Sequence, residues 1–203
     1  MRNSGASGRG NGPSSWSVLT WLIVINVAIY FIQIFSNTYA GSSNFLALNV
    51  ERLLSWQAYT LVTHQFSHGH LAHLLFNMVG LFFLGRLLLE WIHSRHLLPI
   101  FLLGGMAGGL MQCGYNAMTG SSLSMIVGAS GSIMAILFAA VALNPHREIR
   151  FLFMFFIPVR LTMRNIALLV IAIDLITFLS QLYSGGRARP DGTLEQTAVF
   201  AHL

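Results

Sequence analysis

The sequence of 203 residues contains no lysine, a single cysteine and few charged side chains of either sign. Charged residues make up 8% of the chain, whereas an ordinary soluble domain contains about 25%. Such a chain cannot cover a globular surface with solvated groups, which argues against a water-soluble fold. Because hydrophobic residues make up 55% of the chain, intrinsic disorder is excluded as well. The composition therefore predicts an integral membrane protein with one compact domain.

The small number of cysteine and charged residues also limits the cross-links and partners that the chain can have. The one cysteine, Cys113, excludes an internal disulfide framework. The net charge is +5, and all 11 basic residues are arginines. These arginines lie in short interruptions between apolar runs instead of forming one patch, which is typical of membrane topology signals and not of nucleic-acid binding. We therefore expect a lipid bilayer around the protein and no nucleic-acid partner.

The chain is divided by apolar runs, most of them close in length to the roughly 20 residues that a membrane-spanning helix needs. Residues 1–15, rich in Gly, Ser and Asn, predict a flexible cytoplasmic tail, and residues 16–203 predict the membrane domain. Residues 37–70 are too interrupted to span and predict a long outer segment. The predicted spans are residues 16–36, 71–92, 97–118, 126–143 and 165–183, and a sixth begins near residue 196. The expected fold class is therefore an all-α polytopic helical bundle with a six-helix core whose sixth helix is incomplete.

The arginines are distributed unequally between the two ends of these spans. With the amino terminus in the cytoplasm, three arginines (Arg52, Arg187 and Arg189) face the outer side. The other eight face the cytoplasm, namely Arg2, Arg9, Arg86, Arg95, Arg147, Arg150, Arg160 and Arg164. Because cytoplasmic loops carry an excess of positive charge, we expect odd-numbered spans to run outward.

The fourth span is unusually short. From Ser130 to Leu143 there are 14 residues, or about 21 Å of helix against a hydrocarbon core of about 30 Å. If this helix is anchored at the cytoplasmic face, it begins about 9 Å below the outer surface. Irregular backbone at that depth is tolerated only where protein buries it or where it lines a watery cavity. The length therefore predicts an outward-opening aqueous pocket with Ser130 at its floor.

Polar side chains inside spans are functional candidates because burying them in a bilayer is unfavourable. His73 and Asn77 are four residues apart and share one face of the second span, about 3 to 9 Å deep and level with Ser130. His202 lies about 9 Å into the sixth segment. Taken singly, each residue is more typical of a structural role than of catalysis. Together they place a serine, two histidines and an asparagine in one layer.

These residue types suit acyl transfer. A histidine that takes the serine proton makes the hydroxyl a nucleophile. The side-chain N–H groups of His73 and Asn77, together with backbone N–H groups at the start of the fourth helix, can donate to the developing oxyanion. A helix amino terminus also favours negative charge there.

Residues 64–78 (HQFSHGHLAHLLFNM) resemble the second-helix signature of the rhomboid intramembrane serine proteases. Residues 128–131 (GASG) resemble the nucleophile motif of that family, and residues 201–203 (AHL) the start of its catalytic-histidine motif. The resemblance covers about residues 16–203 and the six-helix core of bacterial type. It implies that Ser130 is the nucleophile and His202 the base of a dyad, and that His73 and Asn77 line an oxyanion hole.

The resemblance further implies substrates that are transmembrane segments of other membrane proteins, cleaved without a metal or cofactor. We assign supporting roles to Gly128, Gly131 and His68. The expected location is a bacterial inner membrane, with the site opening to the periplasm. Two positions depart from the family pattern: Tyr59-Thr60 stands where many members have Trp-Arg, and Met134 where many have an aromatic ring.

Alternative interpretations stay open at three positions or groups. His64, His68, His70 and His73 could bind zinc, but no His-Glu-x-x-His motif accompanies them, and we predict no metal site. Asp174, in the fifth span, could complete a triad. The overlapping Gly-x-x-x-Gly pairs at Gly104, Gly105, Gly108 and Gly109 are typical of close helix packing, with a dimer contact as the alternative.

The protein as a whole has two rival interpretations. One is a catalytically inactive rhomboid-like protein that binds transmembrane clients. The other is a small channel or transporter built on the same polar pocket, although the sequence shows no internal repeat of the kind that transporters contain.

We expect the polypeptide that ends at Leu203 to cleave substrates poorly, because about eight residues cannot complete the helix that would hold His202. The measurement compares cleavage of a transmembrane substrate by this polypeptide and by the product of the natural gene. Robust cleavage by the polypeptide ending at Leu203 would refute the expectation.

Overall fold

The computed structural model describes residues 15–38, 43–153 and 157–184. Helix α1 is followed by an outer segment with two short helices and a 3-10 turn, and then by helix α4. Helices α5 and α6, a β-hairpin and helix α7 complete the described chain. The elements are α1 (Ser15–Phe35), α2 (Val50–Leu54), α3 (Thr60–Thr63), a 3-10 turn (His64–Phe66), α4 (Leu71–Leu88), a second 3-10 turn (Ser94–His96), α5 (Leu97–Met118), α6 (Ser130–Leu143), β1 (Glu148–Phe153), β2 (Ile157–Thr162) and α7 (Met163–Ser184).

Within the described residues, three helical stretches are long and apolar enough to cross a membrane: Val18–Phe35, Leu71–Leu88 and Ser94–Met118. The predicted helical membrane bundle is therefore confirmed. Helix α5 has the predicted bounds, α1 differs by one residue at each end, and α4 ends four residues earlier than predicted. Helix α7 covers the predicted fifth span. The predicted sixth segment lies outside the described residues.

Helix α1 ends in a motif that its sequence encodes. Asn37 adopts a positive φ of 53°, a left-handed conformation that asparagine tolerates better than most residues. The Thr38 N–H donates to the Gln33 carbonyl at 2.9 Å, and the Asn37 N–H donates to the Ile34 carbonyl at 3.1 Å. These two bonds are those of a Schellman cap, so the chain leaves the helix with its last carbonyls satisfied.

The core lies where α1, α4, α5 and α6 meet. Its fully buried side chains include Leu19, Leu81, Leu88, Phe101 and Ile136. Large apolar side chains on the outer faces are exposed, as is expected where lipid replaces water. They include Trp21, Ile32, Phe83, Leu103 and Leu179.

Helices α5 and α6 approach each other through residues with little or no side chain. A Cβ added to Gly104 would overlap the Cβ of Ala135. A Cβ added to Gly108 would lie 3.2 Å from the Cα of Gly131. The prediction that the glycine pairs of α5 serve close helix packing is therefore confirmed.

The β-hairpin between α6 and α7 was not predicted. Strands β1 and β2 are antiparallel, with Glu148 opposite Thr162 and Arg150 opposite Arg160. At its base the Met163 N–H donates to the Arg147 carbonyl at 2.9 Å. The Arg147 guanidinium also forms an ion pair of 3.2 Å with Glu90, beyond the end of α4. The arginine-rich stretch, which we interpreted only as a topology signal, is therefore a folded element.

Gly104→Ala should destabilise the protein by about 1–3 kcal/mol, because the added methyl group overpacks the α5–α6 contact. The matched control is Gly114→Ala on the same helix, where no atom of the described residues lies within 4 Å of an added Cβ. This control should shift the free energy of unfolding by less than about 1 kcal/mol. Denaturant titration in detergent measures both changes, and equal effects would contradict the packing described here.

Candidate active site

The outer segment is held against α1 by buried polar side chains. The Gln33 amide on α1 donates to Asn44 Oδ1 at 3.0 Å and to Ser67 Oγ at 3.1 Å. The Asn44 amide also donates to Ser67 Oγ, at 2.9 Å. The Arg52 guanidinium donates to the backbone carbonyls of Asn44 and Ala47. Because these groups are buried or partly buried, their mutual bonding gives the outer segment a defined position above the helices.

The irregular chain before α6 is hydrogen-bonded to this outer segment. Leu48 and Ile126 form an antiparallel bridge, with N···O distances of 3.0 and 2.7 Å. The Gly128 N–H donates to the carbonyl of His64 at 2.9 Å. Helix α6 then begins at Ser130, as predicted. These bonds satisfy part of the irregular backbone before the short helix with protein groups, as is required of irregular backbone at membrane depth.

Helix α4 presents His73 and Asn77 from its first two turns. His70 is the N-cap, and its Nδ1 accepts from the His73 N–H at 3.0 Å. The Asn77 amide donates to the His73 carbonyl at 2.8 Å. Both side chains are buried, at 2% exposure each. The predicted face shared by His73 and Asn77 therefore lies inside the protein.

The imidazole of His73 lies directly against the chain that leads into α6. A Cβ added to Gly128 would lie 2.7 Å from both Nε2 and Cε1 of His73. Gly128 also has a φ of +112°, a conformation that L residues rarely adopt. This position therefore accepts only glycine on both steric and conformational grounds, and the His73 ring contacts the chain two residues before Ser130.

Ser130 is half-buried and is the first residue of α6. The N–H groups of the first helical turn have no partner within the helix, and they form the positive end of its dipole. Chemically, this end of α6 can stabilise an anion close to the imidazole of His73. His202, the predicted base, lies outside the described residues.

A family model described as "Rhomboid domain" matches residues 55–203 of the chain. The chain belongs to the rhomboid family. It is 28% identical over 177 residues to "RHOMBOID-like protein 12, mitochondrial" of Arabidopsis thaliana, an alignment that covers 78% of this chain and 52% of the relative. The chain thus spans about half the length of this relative. No match is found among solved structures.

Three histidines of this rhomboid domain, His68, His70 and His73, form a close group. The ring of His68 is 5.1 Å from that of His73 and edge-on to it, and the ring of His70 is 5.6 Å from His73. Burial, together with the neighbouring His73, lowers the pKa of His68 to about 3. Burial also lowers the pKa of His64. His64 and His68 are therefore neutral near pH 7. Within the described ranges, no three His, Cys, Asp or Glu residues are placed to hold a metal ion.

Asp174, the alternative third member of a triad, lies half-buried on α7. Among the described residues, the structure shows no hydrogen bond between its carboxylate and a histidine.

The rhomboid domain also contains a buried polar pair that sequence reasoning missed. Ser132 Oγ donates to Gln65 Oε1 at 3.0 Å, and neither residue is exposed. A signal was present at Ser132, a polar residue in an otherwise apolar stretch next to the GASG motif, whereas Gln65 lies inside the motif of residues 64–78 among other polar residues. Their separation of 67 residues concealed the pairing.

Gly128→Ala should be more damaging than Gly120→Ala. Both glycines have positive φ, which costs an L residue about 1–2 kcal/mol. At Gly128 the methyl group also clashes with His73, which adds about 1–3 kcal/mol. Among the described residues, a Cβ at Gly120 meets no atom within 4 Å, so that variant isolates the backbone effect. Unfolding midpoints in detergent measure the difference, and equal midpoints would contradict the His73 contact.

Proposed function

We propose that this protein is an intramembrane serine endopeptidase of the rhomboid type, with its catalytic domain in residues 16–203. It hydrolyses peptide bonds in or near transmembrane segments of other membrane proteins. The observation that carries the proposal is the contact between the His73 ring and Gly128, immediately before the helix that begins with Ser130. Membership of a family that includes serine proteases supports it.

In the proposed reaction, Ser130 Oγ attacks the carbonyl carbon of the scissile peptide bond while His202 takes the hydroxyl proton. The carbonyl oxygen becomes an oxyanion, which accepts hydrogen bonds from the side chains of His73 and Asn77 and from the backbone N–H of Ser130. The C–N bond then breaks, and His202 delivers its proton to the leaving amine. Water, activated by His202, hydrolyses the acyl-enzyme and regenerates Ser130. No step needs a metal or a cofactor.

The supporting residues have defined tasks in this proposal. Gly128 lets the chain approach the His73 ring, and Gly131 lets the first turn of α6 approach α5. His68, which is fully buried and 5.1 Å from His73, supports that ring from the outer segment. Because a helical backbone hides its carbonyl groups, the substrate helix has to unwind locally. We therefore expect small residues at the cleavage point and helix-weakening residues beyond it.

The protein is an integral membrane protein, and its orientation is part of the proposal. The excess of arginines at one end of the spans supports a cytoplasmic amino terminus, with the site opening on the opposite side. We propose a bacterial inner membrane, where that side is the periplasm. The name of the Arabidopsis relative makes a mitochondrial membrane the alternative.

A fluorophosphonate probe tests the proposal in membranes that contain the protein expressed from its natural gene. The wild type should be labelled, whereas Ser130→Ala should not be, because the nucleophile is gone. His202→Ala should react at least about 100-fold more slowly, because the base is gone. Ser122→Ala, which removes a half-buried hydroxyl before α6, is the matched control and should react like the wild type.

Equal labelling of all four proteins would exclude the proposal that this protein is a serine protease. That result would favour the alternative function, a catalytically inactive rhomboid-like protein that binds transmembrane clients.

A further inference from the structure

The amide of Gln65 joins three parts of the fold. Its Nε2 donates to the Leu61 carbonyl in the outer segment at 3.0 Å and to the Leu102 carbonyl on α5 at 3.2 Å. Its Oε1 accepts from Ser132 Oγ on α6 at 3.0 Å. Because carbonyl groups can only accept, the NH2 group has to face Leu61 and Leu102, which leaves Oε1 for the hydroxyl.

The space for this junction is provided by glycine. A Cβ on Gly105 of α5 would overlap both the Gln65 amide and Ser132 Oγ. Gln65 and Ser132 are each 0% exposed. A buried amide and hydroxyl of this kind strongly favour the one arrangement that satisfies both, since leaving either unpaired is unfavourable.

Beside this junction, α5 and α6 meet through residues with little or no side chain. Gly104 and Gly108 of α5 face Gly131 and Ala135 of α6, so these positions offer no large side chains that interlock. In a membrane, such an interface gains no hydrophobic driving force that would define its register. A directional hydrogen bond between Gln65 and Ser132 opposes sliding of α6 along its axis.

From these observations we propose that Gln65 and Ser132 are positioning residues that set the height of Ser130 relative to His73. Ser132 follows Ser130 by two residues in the first turn of α6. Gln65 lies next to His64, whose carbonyl holds Gly128, and Gly128 in turn contacts the His73 ring. The Gln65–Ser132 bond therefore connects the helix that carries the nucleophile with the segment that contacts the oxyanion-hole histidine. This inference rests on the proposed function.

The test measures two quantities, the rate of Ser130 labelling by a fluorophosphonate and the temperature midpoint of unfolding. The proteins are the wild type, Ser132→Ala, Gln65→Leu and the double variant. Ser132→Ala leaves Gln65 Oε1 without its donor, and Gln65→Leu leaves the Ser132 hydroxyl and the Leu61 and Leu102 carbonyls without the Gln65 amide, so each single variant should lower both quantities. The double variant removes both members of the Gln65–Ser132 bond, which should restore part of the unfolding midpoint lost in Gln65→Leu.

Positioning predicts that the double variant still labels at least about 10-fold more slowly than the wild type, because displacement of a catalytic group is costly even in a stable fold. The matched control is Thr60→Val, which removes another fully buried hydroxyl, one that donates to the Gln57 carbonyl at 2.7 Å. It should change the midpoint without a comparable loss of labelling rate.

The outcomes separate the two proposals. If the wild type is not labelled at Ser130, the proposed function fails and the positioning role fails with it. If the wild type is labelled and the double variant regains the wild-type rate, the pair is only structural and the positioning role is overturned. Ser132→Ala with a wild-type rate overturns it too, and this variant alone suffices if Gln65→Leu does not fold.

Discussion

The structure depends on the requirement that a polar group buried in an apolar domain has a hydrogen-bond partner. The amide N–H groups of Gln33 and Asn44 find acceptors at Asn44 Oδ1 and Ser67 Oγ, and Gln65 Oε1 accepts from Ser132. Every one of these bonds connects the outer segment with a helix or with itself. The apolar majority builds the helices, and these few bonds connect the outer segment with α1 and α6.

The helices were predictable because hydropathy alone defines them. An uninterrupted apolar run gave the bounds of α5, and the short run after residue 126 gave the start of α6 at Ser130. Close packing against α5 was also predictable, since four glycines at helical spacing are typical of helix contacts in a membrane, but the glycines alone did not identify α6 as the partner. The face shared by His73 and Asn77 followed from their spacing of four residues.

Other features could not be predicted, because they depend on pairings between distant residues. The hairpin depends on the register between β1 and β2, which the sequence of the segment does not indicate by itself. The Gln65–Ser132 bond joins residues that no local pattern relates. His70 caps α4 with an imidazole nitrogen, a role that Ser, Thr, Asp or Asn fills more often. The role of His202 as the base was predicted from a short motif. Because this residue lies outside the described residues, that role stays a prediction.

The separation between Gln65 and Ser132 has a consequence for biogenesis. A ribosome releases Gln65 long before Ser132. The outer segment and α4 therefore enter the membrane before α6 can supply the hydroxyl that donates to Gln65 Oε1. Contacts of long sequence separation form late, because the intervening chain has to be ordered first. The end of α6 that carries Ser130 therefore reaches its place only after α5 and α6 have both been inserted.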